Sequence, residues 1–328
     1  MKSIKILIIL LVVFITNVWA QTPLLNFNNG KFKIVQFTDL HWIADAKHAI
    51  DNDSTIQLMK YVIRTEKPDL VVFTGDVVVS GGAAKAWKDV TQPLAELKVP
   101  FAVAFGNHDT ETDITKQKAL EIIQTNPYNV TYNADNTIDG VGNCSLPIKG
   151  SDNKKNKWVI YMFDSHAYAH EPDTIIKGYD WIKNSQIQWY RKQSATFTKA
   201  NNNIALPSLA FFHIPTPEFE YVRHLKATVG NGSESIGAPY FNSGLFTSFV
   251  EMRDVLGVFV GHDHNDDFVG VAANICLGYG RKTGYNAAYK EILERGARVI
   301  ILDENDKKFE TYITTLSGTY FKYHFERQ

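Results

Sequence analysis

The sequence predicts an α/β fold of two facing mixed β-sheets flanked by helices, on three observations. The N-terminal half alternates short apolar runs with amphipathic stretches at strand–helix–strand spacing. The C-terminal half is richer in apolar runs of strand length. Five of these runs end in Asp, Asn or His, which a core does not accept unless they are paired or bound to a cation.

Taken in order, KFKIVQF reads as a strand, and STIQLMKYVIRTEKP as a helix with Leu58, Val62 and Ile63 on one side. DLVVFTG is continuously apolar, as in a strand covered on both faces. AAKAWKDVTQPLAELK is a helix expected to be interrupted near Pro93, and PFAVAFG is another buried strand. This spacing calls for parallel strands with right-handed crossovers. Beyond Pro127 the expected strands are YNVTYN, NKWVIYMFD, LPSLAFFHI, DVLGVFVG, DFVGVAANICLG, GARVIILD and KFETYITTL. NSQIQWYRKQSATFTKA is a helix before the third of these, and a shorter helix runs through SGLFTSFVEMRD. Two facing sheets flanked by helices accommodate that order.

Residues 1–20 read as a signal peptide rather than as fold. Lys2 and Lys5 precede the apolar run from Ile6 to Ile15, and Val18-Trp19-Ala20 supplies a small-residue cleavage site. The run is shorter than the roughly 20 apolar residues of a spanning helix. The expectation is an exported protein, periplasmic or secreted, with no membrane anchor after cleavage and a single catalytic domain over residues 21–328. The 34 Lys and Arg against 35 Asp and Glu form no basic stripe, so long nucleic acid is not an expected partner. Cys144 and Cys276 are too few for a disulfide scaffold; pairing and two buried thiols both remain open.

The polar strand ends carry the chemistry. IVQFTDLHW ends in Asp39 and His41, LVVFTGDVV in Gly75-Asp76, and FAVAFGNHD in Asn107, His108 and Asp109. LAFFHIP ends in His213, and VFVGHDHND in His262, Asp263 and His264. Each piece alone is an ordinary turn; the five together, with oxygen and nitrogen donors and no thiolate, suit Mn, Fe, Zn or Mg-type ions.

This set resembles the calcineurin-like metallophosphoesterase superfamily. GVGNCSLPI, YDWIKNSQIQWY, FFHIPTPEF, NSGLF, VGHDHNDDF and GYGRKTGY are similar to its purple-acid-phosphatase-like subgroup. The resemblance implies a four-layer αββα sandwich and a phosphoesterase dependent on two divalent metal ions (Mn, Fe or Zn), acting on a small phosphorylated substrate. Asp39, His41 and His264 would hold one metal, Asn107, His213 and His262 the other, and Asp76 would bridge them. Two cations about 3.5–4 Å apart can clamp the attacking and leaving oxygens of an in-line displacement, with a bridging hydroxide as nucleophile. His108 would stabilise the phosphoryl group or protonate the leaving oxygen, with Asp109 either orienting that imidazole or capping the loop. Asn143 and Arg281 are candidate phosphate contacts, and the loop DSHAYAHEPD, with His166 and His170, is a candidate for leaving-group preference. True purple acid phosphatases carry a ligand tyrosine three residues after the bridging aspartate. Here that residue is Val79, so a colourless protein is expected. Monoester hydrolysis is the leading expectation; a phosphodiesterase on nucleotides or lipid head groups, and a metal-dependent binding protein without turnover, are the alternatives.

Overall fold

The computed structural model describes residues 23–169, 177–289 and 292–327. The expected signal segment, residues 1–20, and His170 lie outside them. Strands β1 (Lys31–Phe37), β2 (Leu70–Thr74) and β3 (Phe101–Ala104) are parallel, with α1 (Ala49–Glu66) and α2 (Ala83–Leu97) as crossovers. After α3 (Lys116–Ile123) the chain enters a second sheet through β4 (Cys144–Lys149) and β5 (Asn156–Met162). It continues through α4 (Asn184–Ala200), β6 (Ser208–Phe211), α5 (Glu218–Arg223), α6 (Leu245–Met252) and β7 (Val255–Val260). The hairpin β8 (Val269–Ala272) and β9 (Ile275–Tyr279) completes that sheet. Then β10 (Gly296–Asp303), β11 (Lys308–Thr315) and β12 (Thr319–Glu326) return to the first.

The sheets have orders β12-β11-β10-β1-β2-β3 and β4-β5-β6-β7-β9-β8, and each joins parallel to antiparallel strands. Alternation along the strands sorts the core into three apolar layers. In β2, Leu70 and Val72 face the other sheet while Val71 and Phe73 face α1 and α2. In β5, Trp158, Ile160 and Met162 face the first sheet while Val159, Tyr161 and, just past the strand, Phe163 pack with α4 and α6. Helix, sheet, sheet and helix thus form the four expected layers.

Several local expectations fail for physical reasons. Helix α2 runs unbroken through Pro93, which is buried with Trp87, Val90 and Leu94; packing of that face outweighs the one backbone bond proline removes. YNVTYN is irregular, making one isolated bridge between Phe101 and Asn129. There the Asn129 side chain bonds both the N–H and the C=O of Thr131, replacing a ladder with a local turn. DFVGVAANICLG is two strands, because Ala273 and Asn274 take φ of +48° and +60°, as a two-residue hairpin turn requires. Strands β4 and β12 were not foreseen; both are sheet edges, and Pro147 in β4 is tolerated there.

Candidate metal centre

Strands β1, β2, β3, β6 and β7 end on one edge of the sandwich, where open α/β sheets place their ligands. The turns that follow are conformationally unusual. Asp39, His41, Asp76 and His262 have φ of +52°, +48°, +50° and +83°, uncommon for side-chain-bearing residues and a form of strain that gathers at functional sites. Gly106 and Gly261 allow the turns to close. A Cβ on Gly106 would fall 2.2 Å from Asp76 Oδ1, and one on Gly261 would fall 1.9 Å from Thr38 Oγ1.

Two groups of side chains converge there. Asp39, His41 and His264 form one, and Asp76, His213 and His262 the other; within each, the donor atoms lie within 4.8 Å of one another. Asp76 Oδ2 is 3.1 Å from His213 Nε2 and 3.7 Å from His41 Nε2, so its carboxylate sits between the groups. The donors share a plan: one end anchored, the other facing the centre. Asp39 Oδ2 accepts from Thr38 Oγ1 and the His262 N–H, whereas its Oδ1 has no hydrogen-bond partner among the described residues. Asp76 Oδ1 accepts from the His108 N–H. Asn107 Nδ2 donates to the Tyr168 hydroxyl while its Oδ1 lacks a partner among the described residues, as does His41 Nε2. His213 Nδ1 donates to the Thr74 carbonyl at 2.7 Å, which leaves Nε2 as a ligand atom. Buried, unpartnered oxygens and imidazole nitrogens of this kind fit divalent cations.

Electrostatics agrees with that fit at two of the imidazoles. Burial drives His41 down to about 4 and His262 down to about 3, so both are the neutral imidazoles that ligation needs. Burial opposes the charge on His213 too, but Asp76 beside it prevails and holds the imidazole up at about 9. Burial likewise opposes ionisation of Asp39, yet the His264 imidazole 3.4 Å away keeps that carboxyl at about 2. Asp76 stays well below the usual carboxylate range; burial works against its charge, and His213 overcomes it.

All seven expected ligands and His108 therefore meet at one place; of the two roles open to Asp109 the geometry matches loop capping, and two other expectations need correction. Asp109 does not orient His108: its carboxylate accepts from the Val77, Val78 and Gly106 N–H groups, binding the β2 and β3 turns together. Asn143 is buried, its Oδ1 accepting from the Asp164 N–H and Gln186 Nε2 and its Nδ2 donating to the Asp139 carbonyl, which ties it into the Asp164 network rather than the centre. Arg281 is buried in an ion pair with Asp267 and bonds the Glu294 carbonyl. In DSHAYAHEPD, His166 is tied to Gln186, and among the described residues Tyr168 reaches the centre. The sequence reading missed Glu111, whose carboxylate lies 2.8 Å from His108 Nδ1. Its signal was the three-residue offset across a 3₁₀ turn, where side chains eclipse.

With this geometry in view, comparison with known proteins gives the class. The model for calcineurin-like phosphoesterases matches residues 32–266, and the chain belongs to that family. Among its relatives, an Arabidopsis thaliana protein named "Probable inactive purple acid phosphatase 29" is 38% identical, covering 88% of this chain and 81% of its own. Phosphatase DCR2 of Saccharomyces cerevisiae is 32% identical over 74% of this chain and 45% of its own. In fold, the chain is similar to a dimetal phosphatase from Danio rerio, with a TM-score of 0.61, 11% identity and coverage of 90% and 99%. It is also similar to the purple acid phosphatase PPD1 of yellow lupin, with a TM-score of 0.56, 13% identity and coverage of 94% and 55%.

Proposed function

We propose that this chain is a two-metal phosphoesterase that hydrolyses monoesters of small phosphorylated substrates. The observation that carries the reading is the pair of converging groups around Asp76 with His108 at their margin. Asp39, His41 and His264 would hold one divalent cation and Asn107, His213 and His262 the other, with Asp76 between them. Bound there, the cations would neutralise phosphoryl oxygens and lower the pKa of a water. The chain's own residues supply the rest. Asn107 contributes a neutral oxygen, so the site keeps positive charge for a phosphate. His108 is partly exposed, with its ring 5.5 Å from that of His41. Its Nδ1 is held by Glu111, which leaves Nε2 to give a proton to the departing oxygen, a role that typically contributes about 10²–10⁴-fold. With residues 1–20 read as a cleaved leader, the activity would be exported.

The relatives with "inactive" in their names favour a second reading, a metal-binding protein without turnover. The test compares a phosphate monoester and a diester of one chromophore with Mn²⁺, Zn²⁺, Fe²⁺ and Mg²⁺, for the parent and Asp76→Asn. Metal-dependent monoester turnover, reduced about 10²–10³-fold in Asp76→Asn, is expected. Faster diester cleavage would make the protein a diesterase. No hydrolysis of either ester with any metal would leave the second reading.

A further inference from the structure

Glu111 divides its two carboxylate oxygens between two neighbours of the centre. Oε2 lies 2.8 Å from His108 Nδ1, and Oε1 accepts from the Tyr168 hydroxyl at 3.0 Å. That hydroxyl in turn accepts from Asn107 Nδ2 at 3.2 Å. We infer that Glu111 is a positioning residue that fixes the His108 imidazole and, through Tyr168, the Asn107 amide. The catalytic half of this inference rests on the phosphoesterase reading; the half concerning Asn107 does not.

Donor and acceptor order fixes the orientation of both groups. An ionised carboxylate only accepts, so the single Tyr168 proton must go to Glu111. The phenolic oxygen then has only lone pairs to offer Asn107, which selects the NH₂ end of the amide. The carbonyl end, Oδ1, is thereby turned to the side where it has no partner among the described residues. An amide flipped the other way would set two acceptors against each other and present NH₂ to a cation. The same carboxylate holds the Nδ1 proton of His108, so a proton passed to a leaving oxygen comes from Nε2 of the imidazolium while Nδ1–H stays in place. Ring packing keeps the relay in register: Tyr168 stacks on Tyr179 at 5.8 Å, and Tyr179 meets His262 edge-on at 4.3 Å. Glu111 is itself about half exposed, so its pair with His108 contributes little to stability. Its effect can therefore be read apart from folding.

Tyr168→Phe and Glu111→Ala in the full chain test this by calorimetric Mn²⁺ titration and by relative rates on an alkyl phosphate and 4-nitrophenyl phosphate. Both variants should weaken one of two Mn²⁺ sites by about 10–100-fold and leave the other as in the parent. Glu111→Ala should also slow the alkyl ester at least about 10-fold more than the nitrophenyl ester, because only the poor leaving group needs the His108 proton. Tyr168→Phe should keep the parent's ratio. Parent-like Mn²⁺ binding in both variants overturns the Asn107 half, and equal slowing of both esters in Glu111→Ala overturns the His108 half. If the parent hydrolyses neither ester, the phosphoesterase reading falls and the His108 half falls with it, while the Mn²⁺ titration still decides the Asn107 half.

Discussion

Around Asp164 every side-chain nitrogen and oxygen of Lys116, Asn143, Asp164 and Gln186 has a partner inside the fold. Around Asp76, by contrast, Asp39, His41 and Asn107 each keep an atom without a hydrogen-bond partner among the described residues. Both clusters are buried, polar and charged, and both follow the end of a strand. The difference lies in closure. A network that satisfies itself gives stability and a unique packing, whereas one that anchors half of each side chain holds the other half ready for something else.

The contrast predicts opposite mutational behaviour. Lys116→Met should break it most visibly on the closed side, since removing one partner of a buried ion pair costs about 3–5 kcal/mol. Denaturant unfolding should register that loss, while Mn²⁺ affinity of the folded protein stays at the parent value. Gly261→Ala should damage both stability and binding. Its Cβ would strike Thr38 and crowd Asp39 Oδ2, for a loss of about 1–3 kcal/mol together with Mn²⁺ at the Asp39 group. Asn107→Ala is the open-side case: metal-free stability should move by less than about 1 kcal/mol, because Oδ1 has no partner to strand and the Tyr168 hydroxyl that loses Nδ2 keeps its bond to Glu111. Its Mn²⁺ stoichiometry should drop from two to one; full stoichiometry would show that the unpartnered carbonyl is not a ligand.

A third cluster sharpens the comparison through pH. Tyr161 and Tyr190 both donate to Asp254, and burial, then the Asp254 charge, raises both phenols far above their ordinary value. In the unfolded chain they ionise near pH 10, so above that the folded state holds more protons and stability falls as pH rises. Unfolding midpoints measured from about pH 9 to 11 should show the decline, and Tyr161→Phe should make it shallower. The smallest expected signal is at the thiols. Cys144 and Cys276 are unpaired and fully buried, and burial pushes both up to about 12. A thiol reagent at pH 8 should find no reactive cysteine in the native protein and two after unfolding.

The layers and the ligand-bearing turns were legible because apolar runs that stop at Asp, Asn or His are a one-dimensional trace of a strand end facing a site. Asp76 could be foreseen for that reason. The partners that orient those residues were not, since they depend on direction rather than composition. Asp109 turns back to three N–H groups rather than toward the adjacent His108, and nothing in GNHD states which way it points. Tyr168 reaches Asn107 only after the chain has crossed into the other sheet. Pro147 hid β4, and a positive φ at Ala273 hid the β8–β9 turn, because neither residue type advertises the structure it adopts.

Each converging group straddles the seam between the two sheets. Asp39 and His41 leave the first sheet and His264 the second; Asp76 comes from the first, His213 and His262 from the second. Neither half of the chain can assemble either group alone. During synthesis the N-terminal donors emerge long before their counterparts, so the centre can be completed only after most of the polypeptide exists. Any cation held there would wait on the docking of the two sheets, and a chain cut between them would lack donors from both groups.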